Sequence, residues 1–198
     1  MTPPDGIGFA RYLAAKRTVD DRALNRHVLG ALRERLPADG SLRVVEVGAG
    51  IGTMIERAWE WELLPAQADY TAIDADAQIL EAARGRLRQW ATDRGVSCRE
   101  AGGALLLGQA GRRLAVRLEA ADAFEFAARE DAEPRDLLIA HAFLDLVDVP
   151  HALSPLLGLL APGGLAYLAQ LRRADPVRAG ARPAPRRADR GAVPPHDG

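Results

Sequence analysis

Cysteine is all but absent from this chain. Its single copy, Cys98, has no partner for an intramolecular disulfide, so any fold has to be held by packing. Long apolar runs are missing as well. The most apolar region, residues 137 to 171, is broken by Asp145, Asp148, Pro150, Pro155 and Pro162-Gly163-Gly164, and no uninterrupted span of ~20 apolar residues remains to cross a bilayer. Neither sign of charge is in excess: 26 basic and 27 acidic residues give a net charge of −1, which provides no whole-chain attraction to nucleic acid or lipid. The first residues, Met1 to Gly6, carry neither the basic nor the apolar segment of a secretory signal, and a cytoplasmic location is expected. Lysine is represented by Lys16 alone, and aromatics make up 5% of the chain. What the chain does have is length and aliphatic content: 198 residues at 48% hydrophobic suffice for one buried core and one globular domain.

Residues 9 to 36 carry helical periodicity in two pieces, through Phe9, Tyr12 and Leu13 and then Leu24, Val28, Leu32 and Leu36. Thr18 to Asp21 has capping-box spacing and is expected to start the second piece; Pro37 to Gly40 ends it. From Leu42 on, short apolar runs alternate with longer helical stretches, the pattern of a parallel sheet covered by helices on both faces. Strands are expected at 42–47, 69–73, 115–120, 136–141 and 165–170, with helices at about 52–62, 77–93, 123–129 and 149–160. The stretch 96 to 121 is long for a connection. Glycines at 102, 103, 108 and 111 divide it into two β-like runs, which fits a hairpin leading into the third strand. Trp59, Trp61 and Trp90 are expected to pack helices against the sheet.

The segment from Val44 to Gly52, VVEVGAGIG, sets a strand before glycines at 48, 50 and 52 and a helix start, a design in which backbone approaches a ligand too closely for a Cβ. A nicotinamide or flavin site needs glycine at the sixth position, where Thr53 stands, and Glu46 two residues before the first glycine is unusual for such a site. Together these residues resemble motif I of the class I S-adenosylmethionine-dependent methyltransferases. The resemblance implies a Rossmann-like, doubly wound α/β fold in which Gly48, Ala49, Gly50 and Gly52 wrap the methionine part of S-adenosylmethionine and Glu46 helps to position its ammonium group. Further landmarks follow in the family's order. Tyr70 to Asp74 ends the second strand in an acid, 22 residues beyond Gly52. The family uses that acid, here Asp74 with Ala75 beside it, to hold both ribose hydroxyls, a task for a carboxylate because it accepts two hydrogen bonds at once. Asp76 has a sufficient role of its own as the N-cap of the next helix. Asp122, followed by Ala123, falls where the family accepts from the adenine amino group, with a turn or helix cap as the other reading. Phe124, Phe126 and Phe143 are core or adenine-pocket walls. Asp136 opens the fourth strand and Leu160 to Leu165 matches the turn before the fifth. No metal site is implied.

Methylases of DNA amino groups or protein glutamine follow the fourth strand with an Asn or Asp, two prolines and an aromatic; here His141, Ala142, Phe143 and Leu144 stand instead. The cytosine-C5 enzymes need a Pro-Cys nucleophile, and Cys98 has no proline before it. A small-molecule methyl acceptor is therefore expected, not nucleic acid, with in-line methyl transfer and with His141 as candidate general base or cofactor-pocket wall. A non-catalytic cofactor-binding or interaction protein is the alternative.

Three segments are expected: a helical lid at 1–40, the S-adenosylmethionine-binding domain at 41–171, and a disordered tail at 172–198. Those last 27 residues hold seven Arg, six Ala, five Pro and three Gly, too little apolar surface to offset the entropy of ordering. An abrupt passage from patterned sequence to such a tail is what out-of-frame translation or truncation produces; a basic arm contacting RNA is the competing reading. The family continues after its fifth strand with two more, so the expected sheet has five strands in the order 3-2-1-4-5, lacks strands 6 and 7, and leaves the apolar strand 165–171 as an edge open to self-association.

Overall fold

A computed structural model describes residues 24–129, 133–141 and 143–169; the first expected helical piece, the start expected at Thr18 and the tail at 172–198 lie outside these. The first described helix, α1 (Arg26–Arg35), starts at Asn25, whose Oδ1 accepts from the amides of His27 and Val28 at 3.0 and 3.4 Å. A helix running unbroken from Thr18 to Leu36 is thereby corrected: Leu24 and Asn25 are not helical, and the asparagine cap satisfies the amides that a new helix start leaves open. Leu24, Leu32 and Leu36 are buried against the main core.

Strand β1 (Ser41–Val47), helix α2 (Thr53–Glu60), strand β2 (Gln67–Asp74) and helix α3 (Ala77–Arg94) follow. Next come strands β3 (Ser97–Ala101), β4 (Ala104–Gln109) and β5 (Arg112–Ala120), then helix α4 (Ala123–Ala127). Strand β6 (Arg135–His141), a short 3-10 turn at Leu144–Leu146, helix α5 (Val149–Leu157) and strand β7 (Leu160–Ala169) complete the described chain. All seven strands form one sheet in the order β3-β4-β5-β2-β1-β6-β7. The five-stranded sheet lacking two strands is thus overturned. The five expected strands keep their relative order as β5-β2-β1-β6-β7, all parallel, and two more are added beyond β5 by the hairpin, β4 pairing antiparallel with β5 and β3 with β4. The reason is local. Gly102 and Gly103, at φ +58° and +75°, make one two-residue turn, and Ala110 and Gly111, at +51° and +84°, make another. Left-handed backbone at both central positions matches the twist of paired strands, so each turn folds its strand straight back onto the previous one.

Burial explains why the central strands were readable. The last four residues of β1 are buried, and so are Leu137 to Ala140 of β6, as befits parallel strands covered on both faces. One face packs on α1, α2 and α3 through Leu42, Val44, Tyr70, Ala72, Leu105, Val116 and Ile139; the other packs on α4 and α5 through Val45, Val47, Ile73, Leu138 and Ala140. Trp59 and Trp90 meet edge to face at 6.3 Å between α2 and α3. At the two sheet edges, β3 is mostly exposed and carries Arg99 and Glu100, whereas β7 keeps Tyr167 buried and leaves Leu168 partly exposed. Between Arg135 and Leu137 the β6–β7 register skips from Leu160 to Leu165, because the turn at Pro162 to Gly164, with Gly163 at φ +82°, loops out of the ladder. Among the described residues no helix is long and apolar enough to cross a membrane.

Candidate cofactor-binding site

The connections from β1 and β6 leave toward opposite edges of the sheet, so a crevice opens beyond their carboxyl ends, the usual ligand position in a doubly wound fold. The loop after β1 lies there. Gly48, Gly50 and Gly52 have φ of +67°, +54° and +76°, a left-handed region that costs any other L-residue about 1–2 kcal/mol. The Ala49 amide donates to the Ile73 carbonyl at 3.0 Å and the Gly52 amide to the Ala49 carbonyl at 3.0 Å, which curls the loop over the end of β2. At Gly52 an added Cβ would meet only ordinary contacts from 3.5 Å, so conformation alone requires glycine. At Gly48 it would stand 2.8 Å from Cδ2 of Phe143. The crowding expected there from a ligand comes from the protein's own aromatic ring, which also lies 6.3 Å from Phe124.

Asp74, the last residue of β2, is half-buried and faces this loop. Its Oδ2 accepts from the Gly50 amide at 2.9 Å and its Oδ1 from the Asp76 amide at 3.0 Å. Each oxygen therefore retains a further acceptor direction. Asp76 caps α3, accepting from the amides of Gln78 and Ile79 at 2.8 and 3.3 Å. Ala75 between them is exposed. Asp122 caps α4: its Oδ1 accepts from the Phe124 and Glu125 amides at 2.8 and 3.1 Å, so the capping alternative describes that oxygen, and Ala123 is buried behind it. The Ala121 amide donates to the Asp74 carbonyl at 3.1 Å, which brings the ends of β2 and β5 side by side. His141 ends β6, half-buried and in register with Ala169 of β7. The landmark Asp136 lies at the far end of β6, where its carboxylate takes a two-pronged bond from the Arg43 guanidinium at 2.9 and 3.1 Å. That bond holds its pKa below the usual carboxylate value and gives Asp136 a structural task.

Glu46 is 2% exposed. Tyr70 donates to its Oε2 at 2.8 Å, and the fully buried Arg57 of α2 bears on it electrostatically. Desolvation nevertheless dominates and pushes the carboxyl from 4.5 up to about 8, while the same burial and the neighbouring Glu46 keep Tyr70 protonated. Neither Tyr70 nor Arg57 was singled out from sequence. The available signals were an arginine on the apolar face of α2 and a tyrosine two strand positions away from Ala68 and Ala72, on the buried face of β2. A raised carboxyl pKa means that the folded state holds a proton the unfolded chain has released. Its contribution is fully present below pH 4.5, declines as pH rises, and is lost above about 8. Glu46→Gln is expected to remove this slope and to make the ligand-free protein more stable at pH 9 by a few kcal/mol (on the order of 2–5). Denaturant melts of both proteins at pH 5 and pH 9 check this, and parallel pH profiles would show that Glu46 does not titrate in this range.

A cleft of about 520 Å³ lies at the opposite end of the sheet, lined by Ser41, Gln67, Asp69, Arg99 and Arg113 among others. None of the expected site residues borders it.

No protein-family model matches the chain, and comparison with curated proteins finds no significant match. Solved structures do resemble it. A Haloferax volcanii protein assigned as a methyltransferase, solved in complex with the Trm112 methyltransferase activator, is 16% identical over 85% of this chain and 61% of its own, with a TM-score of 0.51. A methyltransferase from Geobacter sulfurreducens is 18% identical over 84% of this chain and 70% of its own, at 0.47. A SAM-dependent methyltransferase from Thiobacillus denitrificans, solved with S-adenosyl-L-homocysteine, is 20% identical over 84% of this chain and 55% of its own, at 0.44. The chain thus spans little more than half the length of the first and third of these proteins. At such identities the likeness is one of fold, and the fold is that of the class I methyltransferases.

Proposed function

We propose that this chain binds S-adenosylmethionine in the crevice beyond β1 and transfers its methyl group to a small-molecule acceptor in the cytoplasm. The observation that carries the reading is Asp74, whose carboxylate is fastened to the glycine loop through Gly50 while each oxygen retains capacity for one hydroxyl. That pair of acceptors suits the two ribose hydroxyls. Glu46 with Gly48, Ala49, Gly50 and Gly52 forms the methionine end, Asp74 and Ala75 the ribose end, and Asp122 and Ala123 the adenine end, where Oδ2 of Asp122 is the acceptor because Oδ1 caps α4. Residues 1–40 serve as a lid on this domain, 41–171. When bound, the cofactor supplies an activated methyl group on a sulfonium. What the chain contributes is alignment, which can supply on the order of 7–11 kcal/mol of the barrier. His141, at the end of β6, receives the proton of an oxygen or nitrogen acceptor on its ring nitrogen.

Incubation with S-adenosylmethionine and a library of phenols, amines and carboxylic acids, read by mass spectrometry, is expected to give S-adenosylhomocysteine together with a methylated acceptor. His141→Gln is expected to lower that turnover by about 100-fold or more with little change in S-adenosylhomocysteine affinity. An equal loss of affinity would move His141 into the cofactor pocket. Tight binding with no methylated product from any acceptor would favour the non-catalytic reading.

A further inference from the structure

We infer that Tyr70 is a positioning residue for the cofactor, acting through Glu46: its hydroxyl fixes the Glu46 carboxylate in one orientation beneath the glycine loop and favours the charged form that an incoming ammonium group requires. This rests on the cofactor reading above. Tyr70 pairs in register with Val44, while Glu46 lies two residues further along β1 on the same face, roughly 6.6 Å beyond. A tyrosine side chain spans that diagonal, and it delivers its hydroxyl at 2.8 Å from Oε2. Tyr70 and Glu46 are 1% and 2% exposed, so bulk solvent does not reach this bond. The charged and titratable groups that bear on Glu46 among the described residues are Tyr70 of β2, Arg57 of α2 and, in the opposing sense, Asp74 at the end of β2; Tyr167 of β7 in turn feels Arg57. The strand on the other side of β1 presents Ile139 in register with Glu46, which brings no charge. Burial favours a neutral acid and a neutral acid attracts no cation, so binding an ammonium group entails release of the Glu46 proton to solvent. A hydrogen bond to the charged form lowers the cost of that release.

The test is S-adenosylhomocysteine affinity between pH 6 and 9, by calorimetry, for the full chain, Tyr70→Phe, Glu46→Gln and the double variant. 5′-Methylthioadenosine, which lacks the amino-acid group, serves as the second probe. Affinity of the unaltered protein for S-adenosylhomocysteine is expected to rise with pH. Tyr70→Phe should move that rise upward by about one pH unit and weaken binding at pH 7 by about tenfold. The same substitution should have no effect in the Glu46→Gln background, nor on 5′-methylthioadenosine. An equal loss in the Glu46→Gln background, an equal loss for 5′-methylthioadenosine, or a flat pH profile would each show Tyr70 to be core packing only. Failure of both probes to bind at every pH would remove the cofactor reading itself, and this inference with it.

Discussion

Asp74→Ala is expected to weaken S-adenosylhomocysteine binding by about 30- to 1,000-fold, equivalent to roughly 2–4 kcal/mol. Two losses add. The ribose hydroxyls lose a charged acceptor that serves both at once, and the glycine loop loses the 2.9 Å bond that ties the Gly50 amide to the end of β2. The control is the neighbouring acid. Asp76→Ala removes the cap of α3 and is expected to cost about 0.5–2 kcal/mol of stability while leaving affinity nearly unchanged. Calorimetric titration of both variants separates the two carboxylates; if Asp76→Ala proves the more damaging to binding, the ribose has been given to the wrong acid.

Gly48→Ala should be nearly as severe, and for two separable reasons. A φ of +67° costs alanine about 1–2 kcal/mol. A Cβ placed 2.8 Å from the Phe143 ring forces a displacement of the kind that costs about 1–3 kcal/mol in a packed site. Together they predict a loss of roughly 2–5 kcal/mol in stability or, if the loop shifts to relieve them, a comparable loss in cofactor affinity. Adding Phe143→Ala should recover the steric part and leave the conformational part, so the double variant is expected to be better than the sum of the singles by about 1–2 kcal/mol. Strict additivity in thermal melts and titrations would mean that the ring does not press on Gly48.

The parts of this architecture that were legible from sequence are those in which residues close along the chain decide the outcome. The central strands β1 and β6 stood out because strands buried on both faces read as apolar runs, and the glycine loop because three left-handed positions within five residues admit little else. Asp76 was readable as a cap from its place just before a helix. What escaped depends on register. The hairpin's turns were visible in their glycines, but its joining the sheet beyond β5 follows from strand pairing, so the sheet was expected to have five strands instead of seven. Tyr70 and Glu46 are 24 residues apart, and only the alignment of β2 against β1 brings the phenol to the carboxylate. Phe143 and Gly48 meet in the same way, through β6 lying beside β1. Asn25 lacks the acidic or amide partner three residues on that marks a capping box, and so gives a weaker start signal than Thr18 to Asp21, although its Oδ1 satisfies the open amides of His27 and Val28.

The most direct test of cofactor binding at the glycine loop is an amide ¹H–¹⁵N titration of the full chain with S-adenosylhomocysteine. Saturable changes are expected to be largest at the amides of Gly48 to Gly52 and of Asp74 to Asp76, with smaller ones at Ala123 and His141, the groups assigned to the proposed site. Saturable changes confined to the opposite end of the sheet, at Ser41, Gln67 and Arg113, or no change at millimolar ligand, would contradict it.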